Sequence, residues 1–413
     1  MKKILVIADN IHPNHSSGAK GRHALITNLA KTSFNVTVYH YSHQEVLIPN
    51  VAMQLIPEKR FTWKFFCSRL VNKIRKHTSW KVNDTVEKFF GFSFTFFNDV
   101  DSIHHAMKKV DINQFDWVFT LSYASSFRSH GAVLKLPHWH AKWLAYVHDP
   151  YPMHSYPRPY DWVEPGHAFK RNFFLQISKH AKYMSYPSQY LAEWMESYYP
   201  KAKGKAVIIP HQMTEVNLKP YDVNVFGTNQ EFRILHAGNL MSARNPMALL
   251  QAFQLFLQHY PEASKHSKLI FVGMLGVFQQ PIQEVQKECL NVITSDGYMP
   301  FEQTIALQKE VSINVILEAK GPYSPFLPGK ITHAVMANKP ILALGPYYSE
   351  VRRLLGHDYP YLAEIDQVQL IANHLSAIYQ KWQHEGKVAL HRPDLTYYLS
   401  EKYLEETIQA LAL

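Results

Sequence analysis

Residues 323–346, YSPFLPGKITHAVMANKPILALGP, constrain the fold more than any other stretch of the chain. They open on a Pro-rich loop. Lys330 then starts a segment that reads as a helix through residue 337, and Asn338 can end it. Lys339-Pro340 leads into the apolar run 341–344, which reads as a buried strand. Loop, helix and strand in this order are half of an α/β unit. In such folds ligands sit at the carboxyl ends of strands, against helix N-termini. There the free backbone N–H groups and the helix dipole favour an anion, typically a phosphate. A lysine at that helix start adds a full positive charge.

The same alternation runs through the rest of the chain. Residues 4–8 are a continuous apolar run, as a parallel strand covered on both faces requires. A loop, 12–20, holds Ser17 and Gly18, and a helical pattern (21–30) and a second strand (36–39) follow. No G-x-G-x-x-G is present, so the dinucleotide fingerprint is absent. Strand 117–121, a loop and helix over 122–134, and strand 143–147 come next; the last delivers His148-Asp149-Pro150-Tyr151 at its carboxyl end. Residues 151–165, rich in Pro, Tyr and His, read as an ordered loop over a site. Helix 169–181, a strand ending at Tyr186, a helix capped by Ser188 and strand 207–210 complete the first half. Polar residues 214–231 read as a linker.

The second half restarts with strand 232–236, a turn at Gly238-Asn239, Arg244, and an amphipathic helix over 247–259. An arginine at a helix N-terminus opposes the dipole unless an anion sits there. Strands 269–273, 292–293 and 312–317 alternate with helices 282–290 and 301–309, the latter after a turn holding Tyr298 and Met299. Helices are expected over 352–357, 367–380 and 395–413. With 413 residues the chain divides into two domains of ordinary size, 1–213 and 214–392, with 393–413 as a C-terminal helical segment.

Motif and spacing together carry a resemblance. S-x-F-x-P-x-K (324–330), a short helix and K-P-I-L-A (339–343) resemble the donor-nucleotide segment of GT-B glycosyltransferases, in particular the retaining family 4. The order S-x-x-S-S, helix, P-x-W, strand, D-P-aromatic over 122–151 is similar to the same family. The resemblance covers most of the chain. It implies two Rossmann-like domains facing across a cleft, and a final helix that packs back on the first. It implies a metal-independent hexosyltransferase of bacterial surface-glycan type, making polysaccharide or lipopolysaccharide. The sugar would pass, with retention, from a UDP- or GDP-sugar to a surface-glycan or lipid-linked acceptor, without a cofactor. Gly238, Asn239, Arg244 and Lys330 would grip the diphosphate, the charge that develops as it leaves. Tyr298 and Met299 would meet the base, and Ser324, Phe326 and Leu327 the donor sugar. His148 and Asp149 would position the transferred sugar or the acceptor, with Ser17 and Gly18 on the acceptor side. The chain departs from the family at His333, where many members carry a glutamate that binds the ribose; the upstream acidic position is not acidic either. Two rivals share the fold: a nucleotide-sugar 2-epimerase, and a non-catalytic partner subunit.

Charge and cysteines bound the setting. There are 43 Lys and Arg against 33 Asp and Glu, so the net charge of +10 favours anionic partners. Cys67 and Cys289 lie far apart, which suits a reducing cytosol. Asp9 ends the N-terminal apolar run too early for a signal peptide, and no apolar run has spanning length. A cytoplasmic protein, peripheral at the inner face of the membrane, is expected. The membrane contact falls on 59–97, where basic residues alternate with Trp63, Phe65, Phe66, Leu70, Val71, Ile74 and Trp80. The competing reading is a helix whose apolar face packs on its own domain. Nucleic acid ranks last as a partner, since no binding module accompanies the segment. No metal set is read: there is no C-x-x-C, His138-x-His140 reads as a surface pair, and Asp99-Val100-Asp101 follows an aromatic run, not a strand.

Overall fold

A computed structural model describes residues 1–78, 81–123, 125–215, 226–228, 230–295 and 297–412. Trp80, Asp296, residue 413 and most of the expected linker lie outside the described residues. The chain forms two compact units. The first comprises Met1–Tyr156, Asp161–Thr214 and Leu399–Leu413; the second comprises Pro157–Tyr160 and Glu215–Tyr398. Cys67 falls in the first and Cys289 in the second, both as free thiols.

The first unit is built on a seven-stranded parallel sheet. Its strands are β1 (Lys3–Ala8), β2 (Asn35–His40), β3 (Ala52–Leu55), β4 (Trp117–Leu121), β5 (Trp143–Tyr146), β6 (Tyr183–Tyr186) and β7 (Ala206–Ile208). They lie in the order β3-β2-β1-β4-β5-β6-β7. Ile4 stands between Val36 and Trp117, which sets the register at the centre. Apart from Lys3 the central strands are buried, and apart from Lys3 and Thr120 they are apolar, as a parallel sheet covered on both faces requires. β3 was not expected. Its AMQL sequence is mostly exposed at the sheet edge and has no long apolar run to announce it.

The first helix differs from expectation. It spans Ser17–Leu29, because Ser16 caps it by accepting from Ala19 N at 3.1 Å. Ser17 and Gly18 therefore lie in a helical turn, not in a loop. The 395–413 segment is likewise two helices, Pro393–Tyr398 and Glu401–Gln409. Ser400 separates them by capping the second, accepting from Tyr403 N. The second helix packs on the first unit: Leu404 and Ile408 join Leu25, Ile26 and Leu29 in its core.

The second unit carries β8 (Phe232–Ala237), β9 (Ser267–Val272), β10 (Val292–Thr294), β11 (Ile313–Leu317), β12 (Tyr323–Ser324), β13 (Ile341–Leu344), β14 (Tyr348–Ser349) and β15 (Leu362–Ala363). Six of these form a parallel sheet in the order β10-β9-β8-β11-β13-β15. β12 and β14 pair separately, Ser324 opposite Ser349, where a plain loop was expected. Helix Lys330–Met336 precedes β13, and Asn338 adopts φ 51° just after it, the left-handed conformation that ends a helix. In both sheets the order reverses once, between β1 and β4 and between β8 and β11. Chain segments leaving those two strands diverge there and open a crevice at their carboxyl ends.

Candidate functional site

In the second unit the switch point gathers residues from four strand ends. Gly238 follows β8 with φ 136°, a conformation that side chains resist. A Cβ there would lie 3.0 Å from Lys330 Nζ, so only glycine lets the ammonium lie against the backbone. Asn239 Oδ1 accepts from Met274 N at 2.9 Å and ties this turn to the one after β9. The stem of Lys330 is partly exposed, but its Nζ is buried and has no hydrogen-bond acceptor among the described residues, and the same holds for Arg244 Nε. A buried donor without a partner costs free energy. Two side by side are explained when an anion completes them.

Electrostatics follow from that crowding. Burial first, then the charge of Arg244, lowers the Lys330 pKa to about 7, against an opposing pull from Glu318. His236, next to the carboxyl end of β8, is held neutral with its pKa well below the ordinary value, by burial and by Lys330 and Arg244. Glu318 follows β11 directly and is buried. Its Oε1 accepts from Ser324 Oγ at 2.6 Å, and a Cβ on Gly345, beyond β13, would come within 2.5 Å of its Oε2. Burial pushes its pKa up to about 7 despite that hydroxyl, a second from Ser349, and the nearby Arg244 and Arg352.

The structure thus brings together Gly238, Asn239, Arg244 and Lys330. Ser324 adjoins them through Glu318, to which its hydroxyl is committed. Leu327 is buried, and Phe326 is edge-on to Tyr160 at 6.0 Å. His333, one turn along the Lys330 helix, meets Phe301 edge-on at 5.1 Å. Of the pair expected at the base, Tyr298 is 70% exposed, whereas Met299 packs in the core with Leu235, Ala237 and Ile270. Glu318 was missed. Its one signal was an acidic residue immediately after a fully buried strand.

In the first unit His148 and Asp149 stand just past β5. His148 N donates to Ser122 Oγ at 2.9 Å, and its Nδ1 lies 3.1 Å from Asp149 Oδ2. The ring of His211 is 4.8 Å away. Burial works to raise the Asp149 pKa, but His148, His211 and Arg22 outweigh it and hold the carboxyl below the ordinary value. Arg22, also missed, is fully buried under Gly18. It donates to Asn10 O (2.6 and 3.0 Å) and Ser122 O (3.3 Å), joining the ends of β1 and β4. Burial pulls its pKa down to about 10. Behind it Arg128 pairs with Asp9 (3.0 Å) and Asp99 (3.1 Å), and the two acids of the D-x-D at 99–101, not read as a metal set, part ways: Asp99 faces Arg128, and Asp101 takes Lys135 and Lys64. Among the described residues no group of three or more His, Cys, Asp or Glu could hold a metal ion.

No family model and no curated protein matches the sequence. Solved structures do match along the whole chain. A glycosyltransferase from Rickettsia africae is 13% identical with a TM-score of 0.60, over 99% of this chain and 93% of that one. Sucrose-phosphate synthase from Thermosynechococcus elongatus is 14% identical with a TM-score of 0.58, over 100% and 95%. An alpha,alpha-trehalose-phosphate synthase (UDP-forming) from Burkholderia xenovorans, in complex with glucose-6-phosphate, is 10% identical with a TM-score of 0.61, over 98% of each chain. At these identities the likeness is one of fold: the chain has the α/β GT-B fold, with two Rossmann-like units.

Proposed function

We propose that the chain is a glycosyltransferase that moves a sugar from a UDP- or GDP-sugar to a surface-glycan or lipid-linked acceptor, with retention and without a metal. The observation that carries this is the pair of buried, unacceptored cationic groups, Lys330 Nζ and Arg244 Nε, against a glycine turn at the switch point. A diphosphate supplies the anion they need, and the same charges stabilise it as a leaving group. The fold-sharing structures add support, since one is a UDP-forming synthase. Thermal-shift measurements with a panel of nucleotide-diphosphate-sugars test the reading. One nucleotide series is expected to raise the melting temperature by mass action. A panel with no shift at all would overturn it in favour of a non-catalytic subunit. Release of the free nucleotide without any acceptor would favour the 2-epimerase.

The acceptor class rests on residues 59–97. They hold nine Lys and Arg against two Asp and Glu, a formal +7 of the chain's +10. Helix Trp63–His77 turns Ser68 and Val71 inward, while Trp63, Phe66 and Leu70 are 63%, 57% and 59% exposed. Phe89 and Phe90, at the end of helix Val82–Phe90, are exposed as well. Apolar side chains among excess positive charge suit the headgroup region of an anionic bilayer, where a lipid-linked acceptor is found. Among the described residues no helix is long and apolar enough to cross a membrane. Sedimentation with phosphatidylglycerol vesicles is expected to capture the protein, and phosphatidylcholine vesicles are not. Serine at Trp63, Phe66 and Leu70 together should weaken capture at least about tenfold, since each buried side chain contributes on the order of a kcal/mol or more. Equal capture by both lipids would remove the membrane from the proposal.

A further inference from the structure

We propose that residues 162–169 form a second bilayer contact of the first unit, and that the buried Glu87–Lys170–Glu164 triad ties this contact to the loop that follows His148 and Asp149. This rests on the reading of residues 59–97 as the face that meets an anionic membrane.

The two surfaces are continuous. Phe89 and Phe90 end the helix Val82–Phe90, and Gly91 follows with φ 81°. A Cβ on Gly91 would overlap Phe169 Cβ, and one on Gly166, at φ 70°, would overlap Glu87 O. Glycine at both positions lets the end of that helix lie directly on the start of helix His167–His180. Phe169, against Gly91, is 51% exposed, and Trp162 and Val163 are 37% and 85% exposed. Every exposed position between 162 and 172 is uncharged or basic. An exposed apolar patch marks an interaction site. Apolar side chains on a face that shows no acid repeat the chemistry of helix Trp63–His77, so the same occupant fits: the headgroup region of an anionic bilayer.

Lys170 keeps acid off this face. Its side chain is 7% exposed, and its Nζ pairs with Glu87 at 2.7 Å and with Glu164 at 2.8 Å. A buried ammonium is tolerated where its partners are this well placed. Glu164 reaches further. Its Oε2 accepts from Met153 N at 2.7 Å, and its own N donates to His154 Nδ1 at 3.2 Å. The His154 ring stacks on His167 at 4.3 Å. Helix Gln189–Tyr198 and the residue after it hold the same loop from another side: Trp194 Nε1 donates to Ser155 O at 2.7 Å, and Tyr199 Oη donates to Tyr151 O at 2.9 Å. Residues 151–155 directly follow His148 and Asp149. Insertion of Val163 and Phe169 into a bilayer restrains Glu164 and Lys170, and through Met153 N it restrains the loop against local opening. Lys170 thus acts as a positioning residue.

Amide hydrogen exchange of the full chain, with and without phosphatidylglycerol vesicles, tests this on wild type and Lys170→Met. In wild type the vesicles are expected to slow exchange over 63–77, over 162–169 and over 151–156. In Lys170→Met the slowing over 63–77 and 162–169 persists, and that over 151–156 is lost. A merely structural Lys170 would speed exchange over 151–156 with and without vesicles alike; vesicle-induced slowing that survives there in the variant overturns the inference. Slowing over 63–77 in wild type with none over 162–169 would overturn it too, while leaving the membrane reading standing. No slowing anywhere would overturn both. Should Lys170→Met fail to fold, Val163→Ser combined with Phe169→Ser, at two exposed positions, carries the test. Loss of the slowing over 151–156, with 63–77 unchanged, is then expected, and an unmoved pattern overturns the inference.

Discussion

Lys330→Met is expected to weaken nucleotide-diphosphate binding roughly ten- to a hundredfold and, at neutral pH, to raise the melting temperature. The two effects share one cause. The ammonium is buried against Gly238 with Arg244 beside it and no acceptor in reach among the described residues. A charge-assisted bond to a phosphate contributes about 1.5–3 kcal/mol, so its loss weakens binding roughly ten- to a hundredfold, and more where the anion is left buried and unpaired. Arg244→Ala should do the same to binding. The stability effect has the opposite sign. In the folded chain the Lys330 pKa is about 7, below its ordinary 10.5, so the charged form is disfavoured by folding. The unfolded chain keeps the proton up to the higher value. Between about 7 and 10.5 unfolding takes up a proton, and wild-type stability rises with pH through that window. Below it the full cost of the buried charge remains. Methionine fills the same volume without the charge, so the variant gains on the order of 1–3 kcal/mol at neutral pH and loses the rise. Thermal melts at pH 7 and pH 9, with UDP and GDP titrations alongside, check both halves. A variant that binds like wild type, or melts lower at pH 7, would show that the ammonium is satisfied by the protein itself. A group that destabilises the chain and binds nothing else in it is the kind of residue that function retains.

Much of this site is legible from sequence, for reasons that can be traced to single residues. Several central strands announce themselves because burial on both faces favours unbroken apolar runs: all of Ile4 to Ala8 is apolar, and so is Ile341 to Leu344. Once the strands are placed, the rule for strand ends puts Gly238, Arg244 and Lys330 in one neighbourhood before any distance is known. What stays hidden lacks a period or a run. β3 is an exposed edge strand of ordinary composition. Ser16 displaces the first helix start by several residues through one hydroxyl. Ser400 breaks the last helix in the same way. Glu318 is a single acidic residue whose meaning depends on Gly345 and on the pairing of Ser324 with Ser349, and nothing in the local sequence reports either. Met299 shows the converse case: it stands beside Tyr298 in a turn, yet the chain points it into the core.

Asp149→Asn is expected to lower sugar transfer about a hundredfold, the cost of misplacing a reacting group by a fraction of a bond length or reversing its hydrogen bond, and to leave nucleotide affinity unchanged. Asp149 is ionised at neutral pH, since His148, His211 and Arg22 hold its pKa below the ordinary value despite burial. An ionised carboxylate 3.1 Å from His148 Nδ1 accepts its proton and fixes the tautomer, leaving Nε2 with a lone pair for a sugar or acceptor hydroxyl. The backbone of His148 is fixed independently by Ser122 Oγ, so the ring stays in place when the charge is removed. Asparagine keeps the shape but can donate to Nδ1, which puts the proton on Nε2 and turns an acceptor into a donor. His148→Ala removes the group altogether and should cost at least as much. None of these residues belongs to the unit that holds Lys330 and Arg244, so UDP or GDP titrations should match wild type. Turnover is read as nucleotide release from the donor that the thermal panel selects, with lipid extract and surface glycan offered as acceptors. A merely structural pair would lower the melting temperature and turnover together. Unchanged turnover in both variants would remove His148 and Asp149 from the reaction and shift attention to Arg22, whose guanidinium joins the ends of β1 and β4 at that switch point.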